Sequence, residues 1–342
     1  MSPAMVTPDR NPAAASNPAV ATAGAAAPSP GVTRLAPSPT GALHLGNART
    51  FLVTWALARR NGWRIVYRIE DLDGPRVKPE AAQAITDTFR WLGIDWDIGP
   101  TIQSDDFGPH RRAMAALAQT ARAYPCDLTR SQIEAAASAP QEGSGEVRFP
   151  ASLRPPVSAR PFSDEHTNWR FVTPVGAVHF HDRFAGTQAI DPAAGIGDFV
   201  IWTKRGTPSY QLAVVVDDAR AGVTEVIRGD DLLDSAARQL LLITALGLSP
   251  TPTYTHLPLV VGPDGRRLAK RHGDSRISAY RESGVPPEAV IGLCAHWCGL
   301  TGERIEPMTA AHFARSLNLA TIPRSPVVFT PEQHQWLLSQ NR

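Results

Sequence analysis

The sequence predicts an α/β protein, a doubly wound parallel sheet interrupted by an inserted subdomain and followed by a short helical C-terminal region. Three observations carry that prediction. Strand-like and helical patterns alternate from Val32 to Leu92, the order that lays parallel strands side by side with helices on both faces. The alternation fails between 126 and 195. It resumes at Tyr210 and gives way to helical periodicity beyond Ser278.

The first strand, Val32-Thr33-Arg34-Leu35-Ala36, runs into Pro37-Ser38-Pro39-Thr40-Gly41, where two prolines and a glycine force a loop. A helix follows, with Phe51, Leu52, Trp55 and Ala56 on one face and Asn61-Gly62 as its stop. Arg64–Ile69 reads as a buried strand with Glu70-Asp71-Leu72-Asp73 at its carboxyl end, and a second helix spans about Pro79 to Leu92. In the weak stretch, Pro140 to Gly145 is a loop, Pro150 to Pro161 is proline-rich, and Val175 to Phe180 suits a short antiparallel strand. The α/β pattern then returns with Tyr210 to Val216 capped by Asp217-Asp218, Val223 to Ile227, a helix from Leu232 to Leu246 ended by Gly247, and a final strand Leu257–Val261 entering the turn Gly262-Pro263-Asp264-Gly265. The expected division is a disordered tail at 1–30, a first catalytic half at 31–125, an insertion at 126–195, a second half at 196–262, and a basic loop with helices at 263–342. The tail is Ala, Pro, Ser and Asn with few large apolar residues, too little to offset the entropy of ordering.

Composition removes several function classes. The 342 residues carry a net charge of only +2, so no bulk positive field marks a nucleic-acid or membrane partner, and any RNA must be held by a local patch. The longest nearly unbroken apolar run, Leu240 to Leu248, is far short of a bilayer span. Three cysteines, Cys126, Cys294 and Cys298, cannot form a disulfide framework and point to a reducing cytoplasm. Of the 34 basic residues only Lys78, Lys204 and Lys270 are lysine and the other 31 are arginine. In a chain so biased, a lysine marks a place where a compact charge on a flexible stem is needed.

Two stretches carry chemistry. In Pro37-Ser38-Pro39-Thr40-Gly41-Ala42-Leu43-His44-Leu45-Gly46-Asn47, a strand, a Pro/Gly loop and a helix N-terminus aim free backbone N–H groups and a positive dipole end at an anion. Gly46 permits close approach of a nucleotide, and His44 can donate to a phosphate. The other is Gly265-Arg266-Arg267-Leu268-Ala269-Lys270-Arg271-His272-Gly273, a basic loop whose single lysine suits a triphosphate better than it suits plain solubility.

These residues resemble the class I aminoacyl-tRNA synthetases of the glutamate group. Arg34 to Gly46 matches their first signature, written here His-Leu-Gly-Asn, and Arg267-Leu268-Ala269-Lys270-Arg271 matches their second. Between them, in order, stand Arg68-Ile69-Glu70-Asp71, the Tyr210 to Asp218 run and Ile227-Arg228-Gly229-Asp230-Asp231. The resemblance implies a Rossmann-like catalytic domain that activates glutamate with ATP and Mg²⁺. It implies a glutamate site of Arg34, Leu35, Ala36, Pro37, Ser38, Glu70, Tyr210 and Arg228. The arginines suit carboxylates, Glu70 suits the ammonium, and Ser38 and Tyr210 supply hydroxyls. The ATP site would comprise Pro39, Thr40, Gly41, His44, Gly46, Asn47, Leu268 and Lys270, with His44 and Lys270 the catalytic pair neutralising phosphate charge.

From Asp274 to Arg342 only 69 residues remain, fewer than the anticodon-binding region of the longer members needs. The chain therefore most resembles the shorter glutamyl-queuosine type, whose acceptor is queuosine in the anticodon loop of tRNA(Asp). Charging of tRNA(Glu), and a non-catalytic glutamate- or RNA-binding paralogue, stay open beside it. The RNA would be held by arginines, including some of Arg148, Arg154, Arg160 and Arg183 in the insertion. Members of this type often bind zinc in the insertion. Here the aligned positions are Cys126, Leu128, Phe149 and Leu153, and one thiolate cannot build a tetrahedral site. No metal site is expected, and the three apolar residues should form a small cluster instead. Cys294 and Cys298, one helical turn apart, read as buried thiols. A cytoplasmic monomer that does not cross a membrane is expected.

Overall fold

The structure, a computed structural model, describes residues 30–74, 77–136, 147–266, 268 and 275–341. The expected tail falls almost wholly outside them, as do the Pro140–Gly145 loop and Lys270.

Strand β1 (Val32–Leu35) leads through the Pro/Gly loop into helix α1 (Leu45–Asn61), then β2 (Arg64–Ile69), α2 (Pro79–Trp91), β3 (Ile98–Ile102) and α3 (Gly108–Gln119). Gly62 ends α1 in the left-handed conformation, φ 65°, and returns its N–H to Ala58, which is why Asn-Gly stops the helix. The middle of the chain gives β4 (Ala123–Pro125), α4 (Arg130–Ala136), β5 (Trp169–Phe171), β6 (Val178–Asp182), β7 (Gly186–Ile190), α5 (Pro192–Gly195), β8 (Val200–Thr203) and β9 (Thr207–Pro208). After it come α6 (Tyr210–Ala221), β10 (Glu225–Gly229), α7 (Leu233–Leu246), β11 (Thr253–Leu257) and β12 (Val260–Val261). The C-terminal region is α8 (Ile277–Glu282), α9 (Pro287–Trp297), α10 (Ala310–Ser316), β13 (Val327–Val328) and α11 (Pro331–Leu338).

Seven strands form the central sheet in the order β3-β2-β1-β10-β11-β6-β7. All neighbours are parallel except the β6/β7 hairpin, as the sequence predicts. The chain winds outward from β1 to β3, then returns to the other side of β1 at β10. That reversal puts a crevice between the carboxyl ends of β1 and β10, the place where doubly wound sheets bind ligands.

Two features depart from the sequence reading. The apolar run Tyr210–Val216 belongs to a helix: α6 is buried from Gln211 through Asp218. An apolar run enclosed on every side carries no amphipathic period, so burial overrides the strand preference of Val214-Val215-Val216. The insertion also does not respect 126–195. A four-stranded antiparallel sheet, β4-β5-β8-β9, draws on residues 123 to 208. It shares one core with the catalytic part, in which Trp169, Phe171, Ile201 and Trp202 pack with Leu117, Leu212 and Leu242. Meanwhile β6 joins the main sheet beside β11, pairing Asp182 with Tyr254. Separation along the chain does not report which sheet a strand joins.

The expected apolar cluster in the insertion is present. Cys126, Phe149, Tyr124 and Ile133 are buried together, with Leu128, Leu153 and Val172 packed on them. Cys294 and Cys298 are buried in the main core, where loss of hydration pushes both thiols well above the ordinary range.

Candidate functional site

A cavity of about 770 Å³ opens at the sheet's reversal point, between the carboxyl ends of β1, β2 and β10. From the expected glutamate set, Arg34, Ala36, Pro37, Ser38, Glu70, Tyr210 and Arg228 line it. From the expected ATP set, Thr40, Gly41, His44, Gly46, Asn47 and Leu268 line it. Leu35 and Pro39 do not: Leu35 is fully buried in the core behind the wall, because neighbouring residues on an extended strand face opposite sides.

The α1 N-terminus is built by reciprocal capping. His44 Nδ1 accepts from the Asn47 N–H at 3.4 Å, and Asn47 Oδ1 accepts from the His44 N–H at 3.3 Å. With Nδ1 an acceptor, the neutral ring carries its proton on Nε2, the donor a phosphate needs. A Cβ on Gly46 would stand 3.1 Å from the His44 ring and 3.4 Å from Val260 Cβ, so glycine here makes room for the cap and for β12. Lys270 lies outside the described residues. The segments on either side of its loop reach the site: Leu268 lines the cavity, and beyond the loop Arg276 bridges to His44 while Leu45 N–H donates to Ser275 O.

Charge is distributed unequally between the two pocket arginines. Arg34 Nε lies 3.3 Å from Asp218 Oδ2, and the other oxygen of Asp218 takes Arg68 Nη2 at 2.7 Å. Arg68 also donates to Glu70 at 2.9 Å, and all four residues are buried. Arg68 stays charged despite its burial because Asp218 and Glu70 adjoin it. Burial holds Glu70 above the ordinary glutamate range, with Arg68 and Arg34 pulling the other way. Asp217 turns from the same helix to His110 and accepts from Gln103 at 2.8 Å. Burial would raise its pKa, but the His110 contact and the Arg68 charge win and lower it.

Arg228 is fixed by neutral groups. Its Nε donates to His256 Nε2 at 2.9 Å, Nη1 to Gln239 Oε1 at 2.9 Å and Nη2 to Leu232 O at 3.2 Å. It also stacks 5.2 Å from the Tyr254 ring centre. The sequence reading missed Arg68, Asp217, Asp218, Gln103, His110, Gln239 and His256. A signal existed for the first three, a charge inside an apolar strand or helix, but none for the others. It also missed Asp73, Asp231 and Arg205, which line the mouth. Arg205, from the β8–β9 turn, donates to Leu72 O.

The insertion's arginines divide. Arg154 makes two 2.6 Å bonds to the buried carboxylate of Asp198, and Arg183 pairs with Glu225 beneath Trp63. Both guanidinium groups are therefore held by carboxylates of the fold, Arg154 partly exposed and Arg183 exposed. Arg148 is exposed, and Arg160 borders a second cavity of about 380 Å³ with Asp127, Asp164 and Trp169. Among the described residues, no three His, Cys, Asp or Glu side chains group closely enough to hold a metal.

Residues 32–336 match the family model of class I tRNA synthetases (E and Q), catalytic domain. The chain is 45% identical over 307 residues to the glutamyl-Q tRNA(Asp) synthetase of Symbiobacterium thermophilum, covering 86% of this chain and 94% of that one. It is 49% identical over 282 residues to the enzyme of the same name from Rhodopirellula baltica, covering 79% and 85%. A crystal structure of a glutamate tRNA ligase from Elizabethkingia meningosepticum in complex with its amino acid superposes with a TM-score of 0.74 at 27% identity, covering 90% of this chain and 68% of that one. The chain belongs to the class I synthetase family for glutamate and glutamine, as a ligase of the glutamyl-Q tRNA(Asp) synthetase group.

Proposed function

We propose that this chain activates L-glutamate with ATP, releasing pyrophosphate, and passes the glutamyl group to a hydroxyl of queuosine in the anticodon loop of tRNA(Asp). The observation that carries the reading is a single cavity whose wall holds Arg228, with no carboxylate among its bonded partners in the described residues, together with Glu70 and the N-terminus of α1. Glutamate brings two carboxylates and one ammonium, and that wall offers the guanidinium groups of Arg34 and Arg228 together with the Glu70 carboxylate, while Asp73 and Asp231 line the mouth. ATP would lie over Thr40, Gly41 and Gly46, its phosphates facing the α1 N-terminus and His44 Nε2. Mg²⁺ enters with the phosphates as part of the substrate.

The α-carboxylate attacks the α-phosphorus, the bond to pyrophosphate breaks, and no proton need move. Catalysis then rests on placing two anions together and neutralising the pentavalent charge with His44, the helix end and Lys270. In transfer, the queuosine hydroxyl attacks the acyl carbon, AMP leaves, and the hydroxyl proton passes to solvent or phosphate. We read the protein as a cytoplasmic monomer. Among the described residues no helix is long and apolar enough to cross a membrane.

The test is ATP–pyrophosphate exchange with glutamate, followed by transfer of labelled glutamate to tRNA(Asp) with and without queuosine and to tRNA(Glu). Exchange, and label on queuosine-bearing tRNA(Asp) alone, are expected. Charging of tRNA(Glu) at its 3′ end would move the assignment to a glutamate–tRNA ligase, and absence of exchange would leave a binding protein.

A further inference from the structure

Arg228 spends three of its five N–H donors on His256, Gln239 and Leu232, which leaves two for a ligand. Its direction in the cavity is thus set by where those three acceptors stand. His256 is the one that needs a partner of its own. A neutral imidazole offers one donor and one acceptor, and only the tautomer protonated on Nδ1 can accept from Arg228 at Nε2. Asp182 supplies the condition: its Oδ2 lies 2.6 Å from His256 Nδ1, and both residues are fully buried.

Asp182 is itself pinned. Its Oδ1 accepts from the backbone N–H of Phe184 at 2.9 Å and of Ala185 at 2.7 Å, and the His256 N–H reaches both oxygens at 3.2 Å. These bonds close the turn of the β6–β7 hairpin, whose first strand pairs with β11 at this same residue. The hairpin contributes no side chain to the cavity wall. Its carboxylate nonetheless reaches Arg228 through one ring.

We propose that Asp182 and His256 are positioning residues for the glutamate site, with Asp182 holding His256 in the Nδ1–H form so that Nε2 orients Arg228 toward the substrate carboxylate. The proposal rests on the glutamate reading above. Two further features agree with it. Hydrogen bonds from His256 and the hairpin backbone hold Asp182 below the ordinary carboxylate range despite burial, and burial with the adjacent Arg228 keeps His256 below the ordinary histidine range. The ring is therefore neutral and the carboxylate charged at pH 7, the combination the orientation requires. Among the described residues no carboxylate pairs directly with Arg228, so its charge is kept for the ligand.

The test compares His256→Gln, which can present an acceptor where Nε2 stood, with His256→Asn, which can donate to Asp182 but does not reach Arg228, and with Asp182→Asn. Each is measured as the full chain for glutamate KM, ATP KM and kcat in pyrophosphate exchange, and for glutamate binding by calorimetry. Loss of a buried hydrogen bond to a charged group predicts a glutamate KM raised about ten- to a hundredfold in H256N and D182N, with ATP KM within about twofold. H256Q should recover most of the loss. In an Arg228→Gln background, H256N should cost little more, because the two act as a unit. Equal rises in both KM values, or no rescue by glutamine, would assign these residues to the fold alone and overturn the proposal. Wild-type glutamate binding unchanged in H256N and D182N would overturn it too, whereas wild-type protein that binds no glutamate would instead sink the functional reading beneath it.

Discussion

Arg68 Nη2 donates to Glu70 Oε1 across 2.9 Å at the carboxyl end of β2, with both side chains buried. Burial holds the Glu70 carboxyl above the ordinary glutamate range against the pull of Arg68 and Arg34, so its charged form is the costly one. A carboxylate so placed is readily discharged by acid, and a substrate ammonium would relieve it.

Glutamate capture should therefore fail on acidification at a pH above the ordinary glutamate value of about 4.3. In Glu70→Gln, activity should fall sharply and that acid limb should vanish. The stability sign runs the other way. A raised carboxyl pKa contributes stability that is complete below the unfolded value and is lost as pH rises through the folded one. The melting temperature of the variant relative to wild type should consequently improve between pH 4 and pH 7. A variant that instead loses ground to wild type as pH rises over that range would contradict the burial argument.

Lys270→Ala should cut adenylate formation by a large factor while leaving glutamate affinity nearly unchanged, because its charge acts on phosphates that gain most charge in the transition state. Lys270→Arg should also be impaired, since a planar fork cannot replace a compact ammonium. Wild-type exchange rates in either variant would reduce the loop to a solvated turn.

Asp198 is 1% exposed and takes Tyr124 Oη at 2.6 Å, two bonds from Arg154 and the Thr173 N–H at 2.9 Å. Removing the guanidinium leaves a buried charge short of its counter-ion, a loss of about 3 kcal/mol. Arg154→Ala should thus lower the melting temperature by several degrees, while transfer to RNA per folded molecule changes little. A salt-dependent loss of transfer at unchanged stability would restore Arg154 to the RNA surface.

The Cys126, Phe149, Leu128 and Leu153 cluster predicts a fold indifferent to chelators, with no stoichiometric zinc by elemental analysis. Its cohesion should instead depend on volume. Phe149 is 1% exposed and lies under the Arg170 guanidinium at 4.2 Å, so Phe149→Ala should cost about 3–5 kcal/mol in denaturant titration. One zinc per chain, or a melting temperature that drops with chelator, would mean that other residues complete a site.

The chain order by itself determined the parallel winding and the crevice between β1 and β10, because hydrophobic period and turn residues act over a few neighbours and each strand–helix unit is local. It also determined most of the cavity wall, since Arg34, Ser38, His44, Glu70 and Arg228 sit at or just beyond strand ends, or at the helix start that follows one. Tertiary structure alone decided three things. It made Tyr210–Val216 a helix, because enclosure on all sides erases the periodic signal that distinguishes helix from strand. It paired Arg154 with Asp198 and Arg183 with Glu225, 44 and 42 residues away. It joined Asp182 to His256 across 74 residues. Such partnerships depend on which strands the sheet sets side by side, and no local pattern of residues records that choice.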